Sequence, residues 1–277
     1  MDDFRSLVSK SVELPEDRRK YIPKGFQRIG NIIILSLPAE LDEYKEGIGN
    51  AVLSAYPGVK TVCNRTGKIE GELRKPQMEV ISGDHETTTI HTENGCFYKV
   101  DVSKVMFSKG NVNERARLLF SVEKGETIID MFAGIGYFTI PIAKNYPKCT
   151  IYAIELNPDS VQLLKENCKL NNISNVTVIQ GDCREVEVPE KANRILMGYL
   201  PGTDKFLPHA FRFLGNVGTI HYHDVFQDND LWEKPKNILE AAAMDAGYVL
   251  RKITYTGKVK QFSPHKHHVV LDADFTS

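Results

Sequence analysis

Cysteine is sparse and poorly placed in this 277-residue sequence: Cys63, Cys96, Cys149, Cys168 and Cys183 are an odd, scattered set with no C-x-x-C pair. That spacing argues against a disulfide framework, a structural zinc site and an iron–sulfur cluster, so no metal is expected. Long apolar runs are missing too. None approaches the roughly 20 residues that span a bilayer, and Met1–Lys10 lacks the apolar centre of a signal peptide. The expectation is a cytoplasmic protein with no membrane partner. An excess of either charge is also absent: 35 basic and 36 acidic residues leave a net charge of −1, so composition alone does not announce a nucleic-acid binder. There is no internal repeat or low-complexity tract. What remains is ordinary for a globular protein, 42% hydrophobic and 26% charged, with length enough for two domains.

The distribution of charge says more than its sum. Arg251, Lys252, Lys258, Lys260 and Lys266 lie in a stretch to His268 that carries three histidines and no acid. Arg18, Arg19, Lys20, Lys24 and Arg28 form a second cluster, and Lys68, Arg74 and Lys75 a third. Each alone reads as a solvated face; three on one chain make a polyanionic partner plausible.

Residues 1–100 read as an N-terminal α+β domain. A helix over Asp3–Ser11 precedes Pro15 and Pro23, Asn31–Leu37 is a strand, and Glu40–Tyr56 a helix entered after Pro38. Val59–Asn64 and Met78–Ser82 are further strands, and Thr87–His91 with Cys96–Asp101 a hairpin turning at Glu93-Asn94-Gly95. From residue 101 to 277 the rhythm changes. After a loop at Val105–Gly110 and a helix over Asn113–Ser121, strands alternate with helices: Thr127–Asp130, Thr150–Ile154, Val176–Ile179, Arg194–Met197 and Thr219–His223. The intervening helices fall at Phe138–Ala143, Asn157–Leu170, Thr203–Leu214 and Asp230–Ala246. Two strands, Tyr248–Tyr255 and His268–Ala273, end the chain with no helix between them. The pattern predicts an α/β domain with a mostly parallel, doubly wound, Rossmann-like sheet and an antiparallel C-terminal hairpin, the variant of class I methyltransferases.

Thr127–Ala143 organises this second domain. An apolar strand ends at Asp130, glycines follow at Gly134 and Gly136, and an apolar helix begins, which makes a nucleotide-binding corner where the backbone can approach a ligand. Thr139 stands where a dinucleotide fingerprint places its third glycine. An acid at the strand tip would repel a pyrophosphate and suit a cationic ligand, such as the amino group and sulfonium of S-adenosylmethionine. The next strand tips carry Glu155, about 20 residues past the glycines, where a carboxylate bonds a ribose diol, and Asp182 with Cys183, suited to an adenine edge. Met197–Pro201 at the fourth tip is the place for a catalytic loop. His221 and His223 share one face of a strand, yet no third ligand completes a metal site, so they read as satisfied or surface histidines. His265, His267 and His268 read as a polar or RNA-facing turn.

Asp130-Met-Phe-Ala-Gly-Ile-Gly136, Tyr152-Ala-Ile-Glu-Leu-Asn-Pro158, Asn167–Asn172, Gly181-Asp182, Glu72-Leu-Arg-Lys-Pro76 and Phe107-Ser108 with Glu114-Arg115 together resemble the tRNA guanine-37 group of class I S-adenosylmethionine enzymes, from about residue 60 onward. One branch of that group methylates guanine N1. The other, in the wybutosine pathway, transfers a 3-amino-3-carboxypropyl group to C7 of 4-demethylwyosine in phenylalanine tRNA. The methyltransferase branch carries Asn-Leu-Pro at the fourth strand tip; here Tyr199 replaces that asparagine, which matches the second branch. The resemblance implies a tRNA partner contacted by the N-terminal domain and, on the cofactor, roles for Ser108, Arg115, Asp130, Phe132, Gly134, Gly136, Glu155, Asp182, Cys183 and Gly198. It also implies catalytic roles for Arg74, toward the base or a phosphate, for Glu114 as a proton acceptor, and for Tyr199. A monomer is expected. The readings set against it are the N1-methyltransferase, a small-molecule methyltransferase, and an RNA-binding protein that keeps the fold without the chemistry.

Overall fold

A computed structural model of the chain describes residues 4–67, 71 and 73–277 and divides into two units, Met1–Lys109 and Gly110–Ser277. Lys68 of the third basic cluster, Glu72 of the Glu72–Pro76 motif, and Asp3 lie outside the described residues.

In the first unit, α1 (Phe4–Ser11) and the short α2 (Glu16–Arg19) lead into β1 (Gln27–Ile29) and β2 (Ile32–Leu35). A 3-10 turn at Ala39–Tyr44 runs into α3 (Lys45–Ala55), followed by β3 (Thr61–Arg65), β4 (Met78–Gly83), β5 (Thr88–Glu93) and β6 (Cys96–Asp101). The single helix expected over Glu40–Tyr56 is thus two pieces, because α3 begins only at Lys45. The first four strands form one sheet in sequence order, with the apolar β2 inside it, buried at all four positions. Phe4, Val8, Leu14, Leu41, Ile48 and Val52 close over the sheet. β5 and β6 pair as the expected hairpin. Asn94 and Gly95 have φ of 50° and 72° at its turn, the left-handed pair that a two-residue hairpin needs.

The second unit opens with α4 (Val112–Leu118) and β7 (Thr127–Asp130), then α5 (Thr139–Asn145), β8 (Thr150–Glu155), α6 (Pro158–Leu170) and β9 (Val176–Gln180). β10 (Ala192–Met197), α7 (Leu207–Phe213), β11 (Leu214–Gln227), α8 (Glu233–Asp245), β12 (Val249–Ser263) and β13 (Lys266–Thr276) complete it. Seven strands pair in the order β12-β13-β11-β10-β7-β8-β9, parallel from β9 to β11 and antiparallel at β13 and β12. The doubly wound sheet with an antiparallel final hairpin is therefore the fold. Asn157 caps α6 by accepting from the Asp159 amide at 3.0 Å, with Pro158 at the first helical position.

Sequence reasoning undersized the last three strands. β11 runs to Gln227, past the Met197–Tyr222 pairing at the tip of β10, and β12 and β13 extend with it. Thr256–Ser263 alternates too weakly to announce a strand because β12 is the sheet's edge and exposes most of its side chains. Its lysines suit an edge that must not recruit another strand. His267 and His268 both lie in β13, and His268 is 2% exposed, so the polar turn read at His265, His267 and His268 is cut back to His265.

Candidate cofactor and catalytic site

The strand tips converge as the spacing requires, because β7, β8, β9 and β10 lie side by side in parallel register. At the glycine corner Gly134 and Gly136 have φ of +57° and +98°. A Cβ at Gly136 would come within 2.5 Å of Ile140 and 2.7 Å of Leu164, so glycine is required by both backbone and space. Asn167 Nδ2 donates to the Ile135 carbonyl at 3.0 Å and holds the turn from α6. Asp130 is fully buried, accepts from the Thr139 hydroxyl at 2.8 Å and the Phe132 amide at 3.4 Å, and so braces the turn. Burial pushes its carboxyl up to about 7.

Glu155 stands beside the corner. Its carboxylate accepts from the Gly134 amide at 2.7 Å and the Asn157 amide at 2.8 Å, tying the tip of β8 to the glycine turn. Asp182, one residue past Gly181, accepts the Arg184 amide at 2.8 Å and both arms of the Arg184 guanidinium. That pairing holds its carboxyl below the usual range. The Cys183 side chain is buried, its thiol pushed up to about 12 by burial, so the thiol is inert and only its backbone is suited to a ligand.

At the fourth tip, Tyr199 packs on Phe132 and Phe206 with ring centroids 5.1 and 5.3 Å apart, and Phe132 meets Phe206 edge-on at 4.9 Å. Arg184 lies over the Phe206 ring at 5.5 Å. Three aromatic faces, a cation and an acid thus edge the same strand tips. Gly198 lies against Phe138, whose ring would sit 3.1 Å from a Cβ there. The loop is pinned by Asp224, which accepts from the Gly202 and Thr203 amides at 2.9 and 3.0 Å, while the Thr203 hydroxyl donates to the Tyr199 carbonyl. Sequence reasoning passed over Asp224. Its only signal was an acid next to His221 and His223 in an otherwise apolar strand.

Behind α4 runs a buried chain of polar groups that composition could not suggest. Glu126 grips Arg194 through two bonds of 2.8 and 2.7 Å, and Arg194 Nη1 meets His221 Nε2 at 2.6 Å. His221 Nδ1 meets Asp272 Oδ1 at 2.6 Å, and Asp272 accepts Arg117 at 2.6 and 3.1 Å. Arg117 then forks onto both oxygens of Glu114 at 2.8 and 2.7 Å, and its guanidinium lies 4.0 Å over the Tyr255 ring. An arginine only donates and a carboxylate only accepts, so His221 is neutral with its proton on Nδ1. Burial, which lowers the basicity of its ring, agrees. The expectation that His221 and His223 are satisfied histidines holds. Glu114, read as a proton acceptor, is 5% exposed, and both of its oxygens accept from Arg117.

Arg115, the next residue on α4, is 3% exposed. Arg74 and Ser108 belong to the first unit. Arg74 is half-buried with φ of 51°, its amide donating to the Gly71 carbonyl at 3.2 Å. Ser108 follows Phe107, whose ring packs edge-on against His91 and Tyr98 at 4.9 and 5.8 Å and whose carbonyl accepts Gln27 Nε2 at 2.6 Å. Among the described residues, no three His, Cys, Asp or Glu side chains are grouped to hold a metal ion, and no helix is long and apolar enough to cross a membrane.

Comparison with known proteins places this geometry in a family. The chain is 41% identical over 251 residues, 90% of its length and 97% of the relative's, to the tRNA(Phe) (4-demethylwyosine(37)-C(7)) aminocarboxypropyltransferase of Methanocaldococcus jannaschii. It is 36% identical to the tRNA (guanine(37)-N(1))-methyltransferase Trm5b of Pyrococcus abyssi, across 98% of this chain and 79% of that one. The crystal structure of P. horikoshii TYW2 in complex with MeSAdo superposes with a TM-score of 0.84 at 35% identity, covering 99% of this chain and 98% of the other. A TYW2 N-terminal domain model matches residues 4–87. The TRM5/TYW2 methyltransferase domain model matches residues 89–250, more than half of the sequence, and the chain belongs to that family.

Proposed function

We propose that this protein transfers the 3-amino-3-carboxypropyl group of S-adenosylmethionine to C7 of 4-demethylwyosine at position 37 of phenylalanine tRNA, releasing methylthioadenosine. The observation that carries the choice within the family is Tyr199. It fills the fourth strand tip with an aromatic ring packed on Phe132 and Phe206, where the methylating branch carries an asparagine. The higher identity to the aminocarboxypropyltransferase supports the same choice.

The residues present fit the cofactor. Gly134 and Gly136 leave the backbone open at the corner, and Glu155, already bonded to the Gly134 amide, keeps acceptor capacity for a ribose diol. Asp182 and the Cys183 backbone take the adenine edge, with Phe132, Tyr199 and Phe206 as apolar faces for the rings. When bound, S-adenosylmethionine supplies a sulfonium with three electrophilic carbons, and which one reacts depends on alignment with the base. Arg115 and Ser108 hold the methionine arm, Arg115 by forking onto its carboxylate. Glu114 acts through Arg117 and Asp272, which fix α4 and so fix Arg115. Arg74 contacts the target base or a neighbouring phosphate, and the first unit supplies the tRNA contacts. The chain acts as a monomer in the cytoplasm.

The test is the identity of the co-product. Incubation with S-adenosylmethionine and phenylalanine tRNA carrying 4-demethylwyosine is expected to yield methylthioadenosine and a tRNA heavier by the aminocarboxypropyl group. S-adenosylhomocysteine with methylated guanine in its place would assign the protein to the methylating branch.

A further inference from the structure

β12 and β13 carry a second set of polar groups toward α4, further along the hairpin than Asp272. Lys260 and His268 are directly paired across the two strands, so their side chains share a face with each other and with Asp272. Lys260 is half-buried and lies against Gly110, just before α4; a Cβ on Gly110 would meet its stem at 2.6 Å and its Nζ at 3.3 Å. Arg115 is near enough that its charge, after burial, depresses the Lys260 ammonium. Two cations are thus brought together at a site that protein has partly dehydrated, an arrangement that favours a bound anion.

His268 supplies the complementary half. Its Nε2 lies 3.0 Å from His223 Nδ1, and His223 Nε2 lies 3.7 Å from Glu114 Oε1. Arg117 forks onto both oxygens of Glu114, and the negative charge 3.7 Å from His223 Nε2, too far for a hydrogen bond, favours the tautomer with the proton on Nε2 and Nδ1 as an acceptor. His268 must then donate from Nε2, which leaves its Nδ1 as a bare lone pair. That atom is buried and has no hydrogen-bond partner among the described residues, and the same is true of Asn111 Oδ1 beside Gly110. A buried acceptor without a donor is destabilising, so a ligand that supplies an N–H there is favoured. Burial holds the His268 ring down at about 3, so the ring stays neutral and keeps that lone pair.

A cation and an orphaned acceptor on one face of the hairpin, with the Arg115 charge from α4 close to that cation, match one kind of group, an α-ammonium next to a carboxylate. We infer that Lys260 and His268, with Arg115, grip the amino-acid end of the arm that is transferred, Lys260 taking the carboxylate and His268 Nδ1 accepting from the ammonium. The inference rests on the function proposed above and adds positioning residues from the C-terminal hairpin, far in sequence from the glycine corner. It also gives the arm a fixed far end. Anchoring that end while the sulfonium stays at the corner stretches the arm across the site, so that its γ-carbon is held in place.

Calorimetry with three probes tests it: S-adenosylmethionine, its decarboxylated form, and methylthioadenosine, which lacks the arm. The wild type is expected to bind S-adenosylmethionine about tenfold more tightly than the decarboxylated form. Lys260→Met is expected to abolish that preference while binding methylthioadenosine within about twofold of wild type, and Lys260→Arg to restore it. Intact methylthioadenosine binding shows that the variant is folded. His268→Phe is expected to weaken S-adenosylmethionine binding with methylthioadenosine again unaffected. A Lys260→Met protein that keeps the full preference, or that loses only tRNA affinity, overturns the inference. So does a wild type that binds the decarboxylated form equally well, a result that needs no variant. A wild type that binds none of the three probes overturns the proposed function itself.

Discussion

His221 Nδ1 lies 2.6 Å from the Asp272 carboxylate, and the two join α4 to the middle of the sheet. Asp272 also takes the Arg117 guanidinium, so one buried acid satisfies two donors from different elements. Burial alone would raise its pKa, but the bonds from His221 and Arg117 hold it well below the carboxylate range. Asp272→Ala strands a buried guanidinium and an imidazole N–H. It is expected to cost about 3–5 kcal/mol, measured by urea unfolding at neutral pH. A loss under about 1 kcal/mol would mean that the chain of bonds contributes little.

The Asp130 carboxyl is shifted the opposite way, upward, and this gives stability a pH dependence. Its folded-state carboxyl titrates at about 7, against 3.8 for an ordinary aspartate. The folded protein therefore binds the proton more tightly than the unfolded one. The stability this gives is complete below about pH 4 and is lost as pH rises through 7. Asp130→Asn keeps an acceptor for Thr139 but cannot titrate. The difference in unfolding free energy between variant and wild type is expected to shift in the variant's favour from pH 4 to pH 8. A flat difference would show that Asp130 is not protonated in the fold.

Glu155 bonds the backbone and, under the proposed function, also the ribose, so its substitutions should separate. Glu155→Gln retains an oxygen for the Gly134 amide but turns an NH2 toward the Asn157 amide, so it is expected to weaken S-adenosylmethionine binding about tenfold and to lower the melting temperature by less than Glu155→Ala does. Glu155→Ala leaves the Gly134 and Asn157 amides without their acceptor and should lower both. The measurements are calorimetric affinity and thermal unfolding. Loss of stability without loss of affinity would restrict Glu155 to bracing the turn.

Tyr199 is the residue on which the assignment within the family turns. Tyr199→Phe keeps the packing on Phe132 and Phe206 and is expected to retain aminocarboxypropyl transfer within about threefold. Tyr199→Ala opens the tip and should lower kcat about 10- to 100-fold through misplacement of the base. Chromatographic assay of methylthioadenosine reads both. Equal activity in all three proteins would remove Tyr199 from the site.

The sequence made the frame of the site legible because its signals are local. Thr127–Gly136 and the carboxylate about 20 residues later follow from a strand, a turn and a strand in fixed order. The Asn94-Gly95 hairpin follows from two residues whose conformation is restricted. The anchor of α4 was illegible because its members, Glu114, Arg117, Arg194, His221 and Asp272, span most of the second unit and meet only through sheet pairing. The burial of Asp130 is illegible for a related reason: a strand tip tells where a side chain begins, not whether Thr139 folds back over it. The full length of the hairpin is illegible because an edge strand can be polar throughout, and only the ladder to β13 fixes it as a strand.

That ladder has a consequence for how the protein can change. The pairing of Lys260 with His268 depends on counting residues between the hairpin tip at Pro264 and each partner. Side chains at the tip can vary without disturbing that count. Loss or gain of one residue between Lys260 and Ser263 would instead either turn Lys260 to the opposite face of the sheet or alter the bulge between Gln261 and Ser263. The site therefore depends on the length of the hairpin as well as on its composition.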